Sequence, residues 1–214
     1  MKLKKIASLA LAGIMAVSML AGCKDGGNGN GGSSSSEPTN PATGISTIFY
    51  NELSKAAQNS LEMSDSSELN NALTKIIENL DTKDIRVNYG KGAAYNEYLS
   101  KAIAAPALLD CKVGVSSAVN AKNVKDVTTY TSVFTVGYDI NDAGALKDVV
   151  EKIDDYLSQL PSSGKDKDGN EYDYDWNGSV SVADTTFVND YGVERSVKYV
   201  AVSLTQTPTK TANA

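Results

Sequence analysis

Apolar residues return at three- and four-residue spacing from Ile45 onward, at Ile48, Phe49, Leu53, Ala56, Ala57 and Leu61, which predicts an amphipathic helix. A polar break, Asp65-Ser66-Ser67, precedes a second stripe of Leu69, Ala72, Leu73, Ile76, Ile77 and Leu80. Glu68 can complete a capping box with Asp65 or the adjacent serine, marking that helix's start. A short strand is expected over residues 85–89, followed by Gly90-Lys91-Gly92 and a helix over 93–105 that Pro106 stops. Leu109, Cys111, Val113 and Val115 alternate as one strand face, and the run from Val127 to Tyr138 is rich in Thr, Val, Tyr and Phe, as strands favour. Asp142 to Leu160 carries Leu146, Val149, Val150, Ile153, Tyr156, Leu157 and Leu160 at helical spacing, with Pro161 after it. Two strands close the pattern, about 176–188 and 194–205, joined by the turn residues Asn189-Asp190-Tyr191-Gly192.

The order α-α-β-α-β-β-α-β-β predicts an α+β domain over residues 45–206: a mainly antiparallel sheet of about four to five strands, with helices packed on one face. Residues 207–214 read as a disordered tail.

Ahead of the domain lie segments of different character. Met1-Lys-Leu-Lys-Lys5 is basic, and Ile6 to Leu20 is apolar except for Ser8, Gly13 and Ser18. A bilayer-spanning helix needs about 20 apolar residues, so this run suits the core of a signal peptide, residues 1–22. It ends in Leu20-Ala21-Gly22-Cys23, which resembles the lipobox of bacterial lipoproteins. The resemblance covers this segment alone. It implies that the Cys23 sulfur receives a diacylglycerol, that cleavage falls before Cys23, and that the acylated cysteine holds the chain on the extracytoplasmic face of the cell membrane. Two acyl chains suffice for stable anchoring where one binds only marginally. From Lys24 to Gly44 the chain has six glycines, the run Ser33 to Ser36, two prolines and no large apolar residue. Residues 23–44 therefore read as a lipidated cysteine followed by a flexible tether, with a reach of roughly 25 Å.

Charge narrows the partners. The 214 residues hold 20 Lys+Arg against 26 Asp+Glu, a net charge of -6. Loss of residues 1–22 removes three lysines and no acid, leaving 17 against 26, or -9. Phosphate binding needs a basic face, so no nucleic-acid partner is expected. The chain has no histidine. That excludes Ser-His-Asp and Cys-His nucleophile activation and His-ligated zinc.

The remaining motifs fail in detail. Gly90-Lys91-Gly92 lacks the third small residue of a dinucleotide fingerprint, with Tyr95 in its place. Gly114-Val115-Ser116-Ser117-Ala118 imitates a nucleophile elbow, yet it reads as strand interior and has no base. Ser162-Ser163-Gly164-Lys165 has the S-x-x-K spacing of penicillin-recognising enzymes, but it follows a helix instead of starting one. Cys111 reads as a small buried hydrophobe.

The most unusual stretch is Lys165 to Trp176, where Asp166, Asp168, Glu171, Asp173 and Asp175 crowd together. The EF-hand pattern fails: with Gly169 at the sixth position, the first ligand falls on Gly164 and the twelfth on Asp175. A hairpin explains the run better, with a type I turn starting at Asp166, Gly169 left-handed, and Lys165 opposite Glu171. Alternation then sets acidic Glu171, Asp173 and Asp175 on one face and Tyr172, Tyr174 and Trp176 on the other. The aromatic row packs on the domain, or it stacks on sugar rings with Asp173 and Asp175 taking hydroxyls. No catalytic residue, cofactor or metal ligand is expected. The reading is a non-catalytic extracytoplasmic lipoprotein that binds a protein or glycan or supports an envelope complex. The alternative is a hydrolase that cuts cell-wall polymer with paired carboxylates.

Overall fold

The computed structural model describes residues 44–80, 92–122, 124–189 and 191–211, all within one compact unit. Cys23, most of the tether and the strand expected over 85–89 lie outside the described residues.

The helices are α1 Ile45–Glu52, α2 Lys55–Gln58, α3 Ser67–Glu78, α4 Glu97–Ile103 and α5 Asp142–Leu157, with a 3-10 helix at Val115–Asn120. The strands are β1 Glu62–Met63, β2 Ala94–Tyr95, β3 Lys112–Val113, β4 Thr128–Tyr138, β5 Ser163–Lys165, β6 Glu171–Val188 and β7 Glu194–Lys210. They form one seven-stranded sheet in the order β1-β6-β7-β4-β2, with β5 also on β6 and β3 also on β4. Only β1/β6 and β3/β4 are parallel. The fold is α+β and mostly antiparallel, as expected, but its sheet is larger than four to five strands.

Helices cover both faces of the sheet, not one. Even-numbered residues of the long strands (Phe134, Val136, Val180, Val200, Val202, Leu204) pack with Phe49 of α1, Ala57 of α2, and Leu146, Val149, Ile153 and Leu157 of α5. Odd-numbered Val133, Val197, Tyr199 and Ala201 pack with Leu69, Leu73 and Ile77 of α3 and Leu99 and Ile103 of α4. A strand buried on both faces needs apolar residues at both parities, and Val197 to Leu204 supplies them. Each fully buried aliphatic side chain contributes about 1.5–3 kcal/mol, so both layers carry weight.

Local chemistry moved several boundaries. The first stripe is two helices, because Leu53 is extended (φ -68°, ψ 151°) and Ser54 starts α2 by accepting the Ala57 N–H. No capping box forms at α3. The Ser66 hydroxyl accepts the Leu69 N–H at 3.1 Å, and Asp65 instead takes the Ser46 N–H of α1 at 3.0 Å. The helix expected from residue 93 begins at Glu97, since Ala94 and Tyr95 pair with β4 and Asn96 caps. The strand face expected over 109–115 does not exist. Asp110 and Gly114 take positive φ (46° and 93°), which breaks the alternation on either side of the two-residue β3.

The tail is not disordered as far as Lys210. Strand β7 extends there, with Tyr174 opposite Pro208 and Tyr172 opposite Lys210. Proline is tolerated because Tyr174 gives its N–H to Ser162 on the other side, leaving Tyr174 and Pro208 a pair that exchanges no backbone bonds. Strand β4 reaches only to Thr128, opposite Gln206, so Pro208 also lies past that neighbour.

Candidate functional site

One outer edge of β4 is shared by two stubs. Strand β2 pairs at Phe134 and Thr135, and β3 pairs at Tyr130 and Thr131. In the gap between them, side chains and loop backbone satisfy the edge: Asn96 donates its N–H to the Val133 carbonyl, and the Ser100 hydroxyl accepts the Val133 N–H at 2.8 Å. The Ser132 hydroxyl accepts the Val115 N–H at 2.9 Å, which fixes the start of the 3-10 helix. At its far end, buried Gln206 donates through Nε2 to the Ala121 carbonyl at 2.9 Å.

Over this gap lies a half-open cleft of about 430 Å³. Ser132 and Phe134 form its floor, the 3-10 helix one wall, and α5 the opposite wall. The rim is aromatic. Tyr95 is 47% exposed and stands edge-on to Phe134, centroids 6.0 Å apart, while Tyr156 is 44% exposed. Lys152 lies one helical turn before Tyr156, so both reach the same wall. Lys152 is exposed and makes no ion pair among the described residues. Exposed Ser116 and Ser117 line the cleft from the 3-10 helix. Among the described residues, no aspartate or glutamate lines the cleft.

The serines belong to the run Gly114 to Ala118. Its context differs from the expected strand interior: a strand ends at Val113, Gly114 turns at φ 93°, and a helix begins at Val115. The strand-turn-helix order of a nucleophile elbow is thus present. The chain has no histidine, and no hydrogen bond joins either serine to Lys152 among the described residues.

The acidic hairpin forms in the expected register. Lys165 pairs with Glu171, Gly169 has φ 82°, and the Gly169 N–H reaches the Asp166 carbonyl at 3.1 Å. Lys165 and Glu171 also form an exposed ion pair at 2.7 Å. The Asp166 carboxylate accepts from the N–H groups of Asp168 and Asn170, from Asn170 Nδ2, and from the Tyr172 hydroxyl at 3.3 Å. These bonds, the Asn170 side chain's first, hold Asp166 below the ordinary carboxylate range. Its oxygens are spent on the turn. No group of three or more potential metal-holding side chains occurs among the described residues.

Of the aromatic row, Tyr174 and Trp176 are buried (6% and 5%), and Tyr172 is half-buried. The Trp176 indole N–H donates to the Pro161 carbonyl at 2.8 Å, and the Tyr174 hydroxyl to that of Lys122 at 3.0 Å. Trp176 packs beside Tyr130, so the row serves packing. Asp173 and Asp175 are exposed on the opposite side of β6 and do not meet the aromatic rings. Cys111 is half-buried; burial pushes its thiol up, and Sγ donates to Thr131 Oγ1 at 3.2 Å.

Sequence reasoning missed the cleft. It placed Tyr156 on the core stripe of α5, and it set aside Ser116 and Ser117 for their apparent strand context. The paired glycine and serines after Val113 were the available signal, since that combination ends a strand. No family model, curated protein or solved structure matches the chain.

Proposed function

We propose that the chain is a lipid-anchored extracytoplasmic binding module of the bacterial envelope, with Cys23 as the anchor and the cleft between the 3-10 helix and α5 as the ligand site. The observation that carries the binding half is the cleft's lining: among the described residues, two half-exposed tyrosines, serine hydroxyls and one lysine, without a carboxylate. A polysaccharide hydrolase of the paired-carboxylate kind needs two acids about 5–9 Å apart across its cleft. Here the exposed acids Asp173 and Asp175 lie two residues apart on the same face of β6 instead. The anchor half rests on the basic start, short apolar run and lipobox-like Leu20 to Cys23.

The test uses the full chain expressed in a bacterial host with an alkyne fatty acid. Label on the wild type, its absence on Cys23→Ala, and digestion of the domain by protease added to intact spheroplasts support the placement. Label retained by Cys23→Ala overturns it. Incubation with purified wall polymer should release no new reducing ends; release that Asp173→Asn or Asp175→Asn abolishes would replace the binding reading with the hydrolase.

A further inference from the structure

We infer that the cleft takes a sugar bearing a carboxylate, one or two rings in size. This rests on the binding reading above and gives it a ligand class. Three features of the cleft converge on that chemistry.

The first is charge. The chain carries an excess of acid, -6 in all, yet among the described residues the only charged one lining the cleft is Lys152. With no acid in the lining and no ion-pair partner among the described residues, its ammonium is the natural seat for an anion. A cationic ligand would meet no counter-charge there.

The second is shape. Tyr95 and Tyr156 rise from opposite supports, a strand stub and a helix, and Tyr95 is held in place by its edge contact with Phe134. Aromatic rings with apolar faces and polar tips suit the C–H faces of sugar rings, while Ser116 and Ser117 offer hydroxyls that both donate and accept. A volume near 430 Å³ lies at the small end of ligand sites, room for one or two rings and no longer polymer.

The third is backbone. An extended peptide would bind by adding a strand, which needs unpaired N–H and C=O groups. The β4 edge under the cleft has none to offer at Val133, whose carbonyl is taken by Asn96 and whose N–H is taken by Ser100. The site is closed to strand addition.

The experiment titrates the detergent-solubilised full chain with N-acetylmuramic acid, N-acetylglucosamine and an acidic tetrapeptide, followed by two-dimensional NMR. These sugars differ by a lactyl carboxylate. The acid sugar should shift the resonances of Tyr95, Ser116 and Tyr156, and bind about tenfold tighter than its uncharged counterpart. Lys152→Gln should erase that preference, leaving the weaker affinity intact, and Tyr156→Ala should weaken both sugars. Equal affinity for the two sugars, or Lys152→Gln without effect, overturns the acidic-sugar assignment while the cleft remains a binding site. Tight binding of the tetrapeptide alone overturns the sugar class. No shift at the cleft with any of the three, in a chain whose NMR dispersion shows it folded, removes the sugar proposal. Shifts absent also with a crude envelope extract would remove the cleft reading itself.

Discussion

The hydroxyl of Ser46 takes the backbone N–H of Val180 at 3.0 Å and turns its own proton toward the Val180 carbonyl at 3.4 Å. Ser46 is 1% exposed and Val180 4%, so this reciprocal contact joins the first helix to an edge of the longest strand away from water. Asp65 completes the joint by accepting the Ser46 N–H.

Replacing that hydroxyl leaves two buried backbone groups without their partner. Ser46→Ala should therefore lower stability by about 1–3 kcal/mol, the usual cost of an unsatisfied buried group. The urea midpoint reads it, with an unchanged slope. A midpoint equal to that of the wild type would mean that water reaches Val180 and that the joint is not sealed.

Gly164 lies where a Cβ would come 2.0 Å from the Lys122 carbonyl oxygen and 2.5 Å from the Tyr174 hydroxyl. The obstruction includes backbone, so it cannot be relieved by a rotamer change. Gly164→Ala should separate β5 from the loop at Lys122 and break the Lys165 N–H bond to the same carbonyl, at about 1–3 kcal/mol. Amide exchange at Lys165 should quicken by about 5- to 150-fold, the equivalent of that energy. Gly169→Ala offers a contrast: open space surrounds it, so any loss there reflects only its φ of 82°.

Asp166 contributes stability that depends on its charge. Its folded-state pKa is depressed, by the Asn170 side chain first and then by the N–H groups around the turn. The contribution is thus complete above the unfolded aspartate value of about 3.9 and disappears as acid carries the group through its lower folded value. Asp166→Asn should flatten the fall of the urea midpoint between about pH 5 and pH 2. A slope identical in wild type and variant would show that the turn is held by its backbone alone.

At the alkaline end Tyr199 governs. Burial pushes its phenol up to about 12, and it is 1% exposed. A raised folded value means that the neutral form is favoured by folding, so stability is intact below about pH 10 and declines as the pH rises through 12. Absorbance at 295 nm should show a final ionisation step near pH 12 that coincides with unfolding. In Tyr199→Phe that final step should vanish.

Sequence made the hairpins and α5 legible because their signals are local. Gly169 and Gly192 sit where positive φ is required, the turn at Asp166 sets Lys165 opposite Glu171, and α5 carries a clean apolar stripe. The errors share the opposite cause. Helix α1 ends where Asp154, a hundred residues on, takes the Ser54 N–H at 2.8 Å. The tail becomes strand because Glu171 to Trp176 offers it an edge. The second helical layer was missed although Val197 to Leu204, apolar at both parities, carried its signal; which helices cover the second face is set by tertiary packing alone. The cleft was hidden most fully: its serines, tyrosines and lysine come from β2, the 3-10 helix and α5, and only tertiary structure brings them together.

The last strand made is the one in the middle. Strand β7 closes the chain, yet it lies between β6 and β4 and pairs along both. A nascent polypeptide that has reached only Asn189 owns two long ribbons with nothing to bridge them, so the sheet cannot assemble until the final segment has left the ribosome. A premature stop anywhere before Glu194 would remove the strand that joins β6 to β4 and leave the two halves of the sheet unjoined.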